Sequence, residues 1–285
     1  MGNFTISPKD LYAEIGRNGA PVILDVCRCE DYDVAPRLIP GARWRDHQQS
    51  AAWVHEIPRG SRVVTVCVRG KKVSQAAAAE LRLLGIDAAS LEGGNEAWIA
   101  AGLPTVAKRL GIGNRESRAS RWVTRVRPKI DRIACPWLIA RFLDPAARFF
   151  YVEPAEVVNA AKELDAIPYD VDGVELTHRG DRDSFDAIMD DFGLKDPALD
   201  RVAAIVRGAD TANLDLAPEA AGLLAISLGI SHLSGPEDHE ALERGFPVYD
   251  ALYAWARYAA GETHNWPVAG GQLKAQQAAS TKSKV

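Results

Sequence analysis

The stretch Cys67-Val68-Arg69-Gly70-Lys71-Lys72-Val73-Ser74 is where residue types and spacing point most directly to chemistry. Cys67 closes the apolar run Arg62-Val63-Val64-Thr65-Val66-Cys67, which reads as a buried strand. A tight turn containing Gly70 follows, and then an Ala-rich helix begins. Such a turn lets backbone amides converge on one anionic atom. The positive helix end, with Arg69, Lys71 and Lys72 close by, then stabilises a thiolate. This predicts an activated cysteine. A persulfide, a cysteinyl-phosphate and an arsenate adduct would all suit the cradle, so physics alone leaves the reaction open.

Two further thiols lie upstream. Cys27 ends the run Val22-Ile23-Leu24-Asp25-Val26-Cys27, a second buried strand by pattern, and Cys29 follows two residues on. Alternate residues of a strand face one side, so either could resolve an oxidised Cys67 as a disulfide. A Cys-x-Cys pair with Cys67 could also hold a soft metal. Four cysteines in all are too few for a disulfide scaffold and too irregularly spaced for a zinc cage.

The second half of the chain carries a different donor set. His178 closes Glu175-Leu176-Thr177-His178, a short strand by pattern, before a turn at Gly180. A metal or oxyanion site here would take His178, Asp210 and His239, with Asp131 or Glu175 helping. Imidazole with carboxylate suits a divalent Zn, Fe, Mn or Ni. No two of these residues share a compact ligand spacing, so only the fold could assemble the site. His239 sits among Glu237, Asp238 and Glu240, which also reads as a solvated helix start.

The elements that must position these residues fall into two groups. Strands are expected at 22–27, 62–67 and 87–91, with helices after Ser74 and after Gly94. That order predicts an α/β unit with a mostly parallel sheet. Beyond residue 120, short strands are expected near 122–126, 148–152 and 173–177. Helices are expected at 131–143 with a kink at Pro136, then at 154–164, 183–192, 197–213, 218–229 and 236–260. The second unit is therefore a mainly helical α+β domain. The boundaries expected are 1–108 for the first domain, a linker over 109–120, the second domain over 121–272 and a frayed tail over 273–285.

The 285 residues carry 47% hydrophobic and 25% charged side chains and a net charge of −4, which excludes a disordered or membrane-embedded chain. Residues 1–110 hold 14 basic and 12 acidic side chains, and residues 111–285 hold 20 and 26. Neither half has the basic excess of a nucleic-acid domain, so nucleic acid is not an expected partner. Apolar runs stop well short of the roughly 18 residues that span a bilayer, and no signal-peptide pattern opens the chain. A cytoplasmic protein with reduced thiols and no membrane partner is expected.

Motifs in order across residues 5–105 make this half resemble a single rhodanese domain. They are Asp25-Val26 with Glu30-Asp31-Tyr32, then Ile39-Pro40-Gly41-Ala42, the Cys67 loop, and Leu91-Glu92-Gly93-Gly94-Asn95-Glu96-Ala97-Trp98. The resemblance implies the α/β rhodanese fold, with Cys67 accepting sulfane sulfur and the amides of Cys67–Val73 cradling the persulfide. It needs no cofactor for sulfur transfer, and its partners would be a small sulfane-sulfur donor and a thiol or cyanide acceptor. The chain departs from the family at Cys27 and Leu38, commonly Arg and His, and at Lys72 and Val73, usually Arg and a small residue. Lysine lacks the planar fork that clamps an oxyanion, so thiosulfate is expected to be a poor donor unless Arg69 turns inward.

From Arg121 to Trp266 the chain resembles the C-terminal domain of ChrB-type chromate resistance proteins. The supporting pieces are the Asp131–Asp144 block, Arg148-Phe149-Phe150-Tyr151-Val152, Thr177-His178-Arg179-Gly180-Asp181, Asp210 and the segment from Asp238 to Tyr253. That resemblance implies a link to chromate, a tetrahedral dianion like sulfate. Two functions follow as expectations. One is a rhodanese-type sulfurtransferase serving chromate resistance, and the other is a chromate- or metal-responsive sensor without turnover.

Overall fold

A computed structural model of the chain describes residues 4–115 and 119–262. Its first half runs β1 (Thr5–Ile6), α1 (Pro8–Glu14), β2 (Val22–Asp25), α2 (Cys29–Val34), β3 (Arg37–Leu38), β4 (Arg43–Trp44), α3 (Ser50–Trp53), β5 (Val63–Val66), α4 (Lys72–Leu83), β6 (Ala88–Leu91), α5 (Gly94–Ala100) and β7 (Val106–Ala107). Five strands form one sheet in the order β1-β6-β5-β2-β4, every neighbouring pair parallel. All four residues of the central strand, Val63-Val64-Thr65-Val66, are buried, as a strand covered on both faces requires. β3 and β7 pair antiparallel away from this sheet. The α/β expectation with a parallel sheet is met, and α1, α2 and α3 are additions that the apolar runs did not announce.

The second half runs β8 (Arg121–Arg125), α6 (Asp131–Leu138), β9 (Arg148–Val152), α7 (Val157–Glu163), β10 (Ile167–Pro168), α8 (Ser184–Asp191), α9 (Pro197–Asp210), α10 (Ala220–Ser234) and α11 (Asp238–Ala254). A small parallel sheet, β10-β8-β9, lies beside the helices, so this domain is mainly helical as expected. The strand expected at 173–177 shrinks to a single bridge between Tyr169 and Leu176, because the chain there turns too tightly to pair further. α6 runs through Pro136 and widens into a π turn over Ile139–Leu143. Proline has no N–H to offer the preceding turn, and the widened turn follows it directly.

The halves share one hydrophobic core. Leu11, Ile15 and Trp98 from the first pack with Trp137, Phe142 and Tyr253 from the second. Gly16 has φ +83°, and a Cβ there would lie 2.4 Å from a ring carbon of Tyr253 and 2.6 Å from one of Phe142. Only glycine permits that approach. Asp196 joins the halves through polar contacts as well: its Oδ2 accepts from the Tyr12 hydroxyl at 2.6 Å and the Tyr253 hydroxyl at 2.8 Å. Within the segment read as a linker, Arg109 pairs with Glu175 and Arg115 with Asp33. Residues 116–118 of that linker, 263–272 of the expected second domain and the tail at 273–285 lie outside the described residues. Among the described residues, no helix is long and apolar enough to cross a membrane.

Candidate functional site

Cys67 stands one residue beyond β5, at the sheet edge where the central strand hands over to α4. Its side chain is buried, and Sγ lies 3.1 Å from the Ser74 hydroxyl on the first turn of α4. The Thr65 hydroxyl donates to the Ser74 carbonyl at 2.8 Å, and the Gln75 amide nitrogen to the Gly70 carbonyl at 3.1 Å. These bonds tie strand, turn and helix into one rigid piece.

The turn is also clamped from outside by the start of α5. Asn95 N donates to the Cys67 carbonyl and Glu96 N to the Val68 carbonyl, both at 3.0 Å. Two unpaired helix-start amides thus hold the loop by its carbonyls. Close approach makes glycine necessary on both sides: a Cβ on Gly94 would fall 2.0 Å from the Cys67 carbonyl, and one on Gly70 2.3 Å from the Leu91 carbonyl. Gly94 is required by that approach, and Gly93 by its φ of +66° and by the Ala97 Cβ, which would lie 2.4 Å from its own.

Charged side chains of the loop stay on the surface. Arg69, Lys71 and Lys72 are exposed, and Val73 is half-buried. Arg69 Nε lies 3.1 Å from Glu96 Oε1, so this guanidinium is engaged on the surface and does not replace the missing inward arginine. The cover over Cys67 is instead apolar. Cys27, Tyr32, Leu38 and Cys67 form one buried cluster, with Trp44, Val68 and Val73 packed against it.

Parallel pairing of β2 with β5, Asp25 opposite Val66, is what brings Cys27 toward Cys67. Burial, and then the neighbouring Asp25 carboxylate, push the Cys27 thiol far up, so it stays protonated at neutral pH. A protonated thiol is a weak nucleophile, which works against an attacking role for Cys27. Asp25 is itself buried and its carboxyl is raised by burial, although Cys27 N at 2.9 Å and Asn95 Nδ2 at 3.1 Å donate to it. Cys29 opens α2, half-buried and outside the cluster. Among the described residues the three thiols do not form a metal-holding group.

In the second domain the fold gathers Asp131, Asp170 and His178, whose ligand atoms all lie within 4.8 Å of one another. Asp131 opens α6, Asp170 follows β10, His178 lies in the loop before α8, and Asp210 ends α9. His178 Nε2 is 3.5 Å from Asp131 Oδ2, 3.6 Å from Asp170 Oδ1 and 3.3 Å from Asp210 Oδ2. These carboxylates raise the imidazole to about 10, Asp131 first and Asp170 next, against its burial. Arg125 at 2.9 Å and Arg132 at 3.4 Å face the other oxygen of Asp170, and the Ser184 hydroxyl donates to Oδ1 at 3.0 Å. Burial alone would raise Asp170, but the neighbouring His178, Arg125 and Arg132 outweigh it and hold the carboxyl low, whereas burial and Asp170 push Asp131 high. An imidazole and two carboxylates so placed could hold a divalent metal.

Two residues proposed from sequence do not join this group. Glu175 pairs with Arg109 on the surface. His239 packs edge-on against Tyr151, its Nε2 3.0 Å from the Phe149 carbonyl, in a contact made by the start of α11. Both were expected to be brought in by the fold, but the Tyr169–Leu176 bridge leaves Glu175 facing Arg109, and the docking of α11 carries His239 to Phe149 and Tyr151. Conversely, sequence reading missed Ser74 and Asp170. Ser74 lay in the loop motif as an ordinary helix-start residue, and Asp170 gave no signal because its neighbours Asp165 and Asp172 look alike.

Comparison with known proteins accords with this architecture. Residues 7–101 match the rhodanese-like domain family. Residues 122–256 match the family described as ChrB, C-terminal domain. The chain therefore joins an N-terminal rhodanese-like domain to a ChrB-type C-terminal domain. Among curated proteins it is similar to protein ChrB of Cupriavidus metallidurans, 38% identical over 133 residues, covering 46% of this chain and 39% of the relative. The chain thus spans about two fifths of that relative's length. Solved structures similar to it include a rhodanese-related protein from Thermoplasma volcanium, 26% identical, covering 36% of this chain and 98% of that one at a TM-score of 0.32. Another is a thiosulfate sulfurtransferase from Pseudomonas aeruginosa, 28% identical, covering 53% and 30% at a TM-score of 0.33.

Proposed function

We propose that the chain is a rhodanese-type sulfurtransferase that forms a persulfide on Cys67 and serves a chromate response. The observation that carries this reading is the placement of Cys67. It ends the central parallel strand of the rhodanese-like domain, with Sγ beside the Ser74 hydroxyl at the start of α4. The Cys67 thiolate attacks the outer sulfur of a sulfane donor. A new S–S bond forms to Cys67 while the donor's bond to that sulfur breaks: thiosulfate would release sulfite, a thiol persulfide a thiolate, and 3-mercaptopyruvate, through its C–S bond, the enolate of pyruvate, which takes up a proton. Cyanide or a thiolate then takes the outer sulfur and returns the cysteine thiolate.

Engagement of Arg69 by Glu96 and the apolar cover of Tyr32, Leu38 and Trp44 favour a donor less dependent on a charged clamp than thiosulfate. A thiol persulfide fits that surface better. The ChrB-type domain supplies the link to chromate, whose shape and charge resemble those of sulfate. A chromate- or metal-responsive sensor without turnover is the second reading, favoured by the Asp131–Asp170–His178 cluster in that domain.

Intact-protein mass after incubation with glutathione persulfide, 3-mercaptopyruvate or thiosulfate tests the first reading. A gain of about 32 Da, one sulfur atom, is expected. Cyanide should remove it, and Cys67→Ser should abolish it. No adduct from any donor, with Cys67 open to alkylation, would discard the sulfurtransferase and leave the sensor.

A further inference from the structure

The geometry points to an open divalent-metal centre in the ChrB-type domain, with Asp131, Asp170 and His178 as ligands and Asp210 beside the free coordination position. This goes beyond the sulfur chemistry assigned to Cys67 and does not rest on it. Only one N–H can lie on His178 Nε2, yet three carboxylate oxygens stand 3.3–3.6 Å from that atom. Useful N–H···O bonds run at about 2.7–3.2 Å, so these contacts are long for hydrogen bonds and too many for one proton. They have the right length for something else. Zinc bonds of about 2.0–2.2 Å place neighbouring ligands of a tetrahedron about 3.3–3.6 Å apart.

A second observation is independent of those distances. Asp131 is 2% exposed, and its Oδ2, the oxygen aimed at His178, is buried without a hydrogen-bond partner among the described residues. A buried carboxylate oxygen without a partner is costly. A cation in contact with it removes that cost. The surroundings are arranged for the same purpose. Arg125 and Arg132 face Asp170 Oδ2, leaving Oδ1 turned toward the cluster, where the Ser184 hydroxyl orients it. Such outer partners fix the first ligands of metal sites.

Three protein ligands leave at least one position open, the pattern of reactive rather than purely structural centres. His178 has 40% of its side chain exposed, which gives a cation and a small ligand an entry path. Asp210 Oδ2, 3.3 Å from Nε2, is not one of the three mutually close donors and stands beside them, where it would accept a hydrogen bond from a ligand entering the open position. The donor set is oxygen and nitrogen, suited to Zn, Mn, Fe or Co and not to soft thiophilic ions.

The full chain, stripped with a chelator and with its thiols alkylated, would be dialysed against Mn2+, Zn2+ and Co2+ separately. About one ion per chain is expected. Asp131→Asn and His178→Gln should weaken binding more than about a hundredfold, beyond the roughly 10–100-fold that loss of an outer partner costs. Glu175→Gln and His239→Gln should bind as the parent does. Circular dichroism and melting temperature would accompany each protein, with a metal-dependent rise in Tm expected for the parent and absent from His178→Gln. Added inorganic phosphate should change the Co2+ visible spectrum by entering the open position. No stoichiometric ion, or equal binding by the His178 variant, would overturn the site. A Co2+ spectrum unmoved by phosphate would overturn the open position.

Discussion

At the scale of single residues, the pairing of the Cys67 thiol with a hydroxyl is set by the fold and not by chain position alone. Ser74 places a hydroxyl 3.1 Å from Cys67 Sγ while its own carbonyl is held by Thr65. Ser74→Ala removes the first contact and keeps the second. We expect persulfide formation to slow severalfold and stability to fall by only about 0.5–1.5 kcal/mol, the net value of one hydrogen bond. Stopped-flow persulfidation and urea melts would check both. Gly94→Ala should behave differently. Its Cβ would meet the Cys67 carbonyl at 2.0 Å, with φ at +60°. A non-glycine residue held there costs about 1–3 kcal/mol before any clash is counted. Loss of persulfidation together with a clear drop in urea midpoint is expected, and a normal rate would refute the clamp.

Helix starts carry the argument at the scale of elements. Asp183 caps α8, its side chain accepting from Asp186 N at 2.9 Å. Burial, offset in part by that bond, raises its carboxyl to about 7. In the unfolded chain it titrates near about 3.9. The folded form therefore holds the proton more tightly. Its contribution to stability is fully present below about pH 4 and is lost as pH rises toward about 7. Asp183→Asn keeps an acceptor for the cap and removes the charge. The fall in Tm between pH 5 and pH 8 should be smaller in Asp183→Asn than in the parent, as measured by calorimetry at matched ionic strength. An unchanged difference would show that the group does not titrate in this window.

At the scale of the whole molecule, the two domains act as one packed body around Gly16, Asp196 and Tyr253. Asp196 caps α9, accepting from Ala198 N at 2.8 Å, and also receives the hydroxyls of Tyr12 and Tyr253. Tyr12→Phe removes only the bond between domains and should cost about 1 kcal/mol. Asp196→Ala also removes the cap and leaves both hydroxyls without this acceptor, so a larger loss of roughly 2–4 kcal/mol is expected. Gly16→Ala forces a methyl into Tyr253 and Phe142. Differential scanning calorimetry is expected to resolve two transitions in this variant and one in the parent, since the shared core is the contact that couples the halves.

Much of this was legible in the sequence, because local patterns carry it. Apolar runs of four to six residues ending in Cys27 and Cys67 define strands whatever surrounds them, and glycines at 70, 93 and 94 mark turns wherever they lie. The parallel sheet and the helical second half follow from such short-range information, and so does the expectation that places chemistry at Cys67. What only the tertiary structure decided are meetings between distant segments. Strand order put Cys27 and not Cys29 beside Cys67, and Arg69 was claimed by Glu96 on the next helix. The ends of α6, β10 and α9 converge on His178 while the docking of α11 carries His239 away. A carboxylate such as Asp170 looks like any other in the chain. Its chemistry arises when packing buries it against an imidazole, and packing is a property of the whole fold.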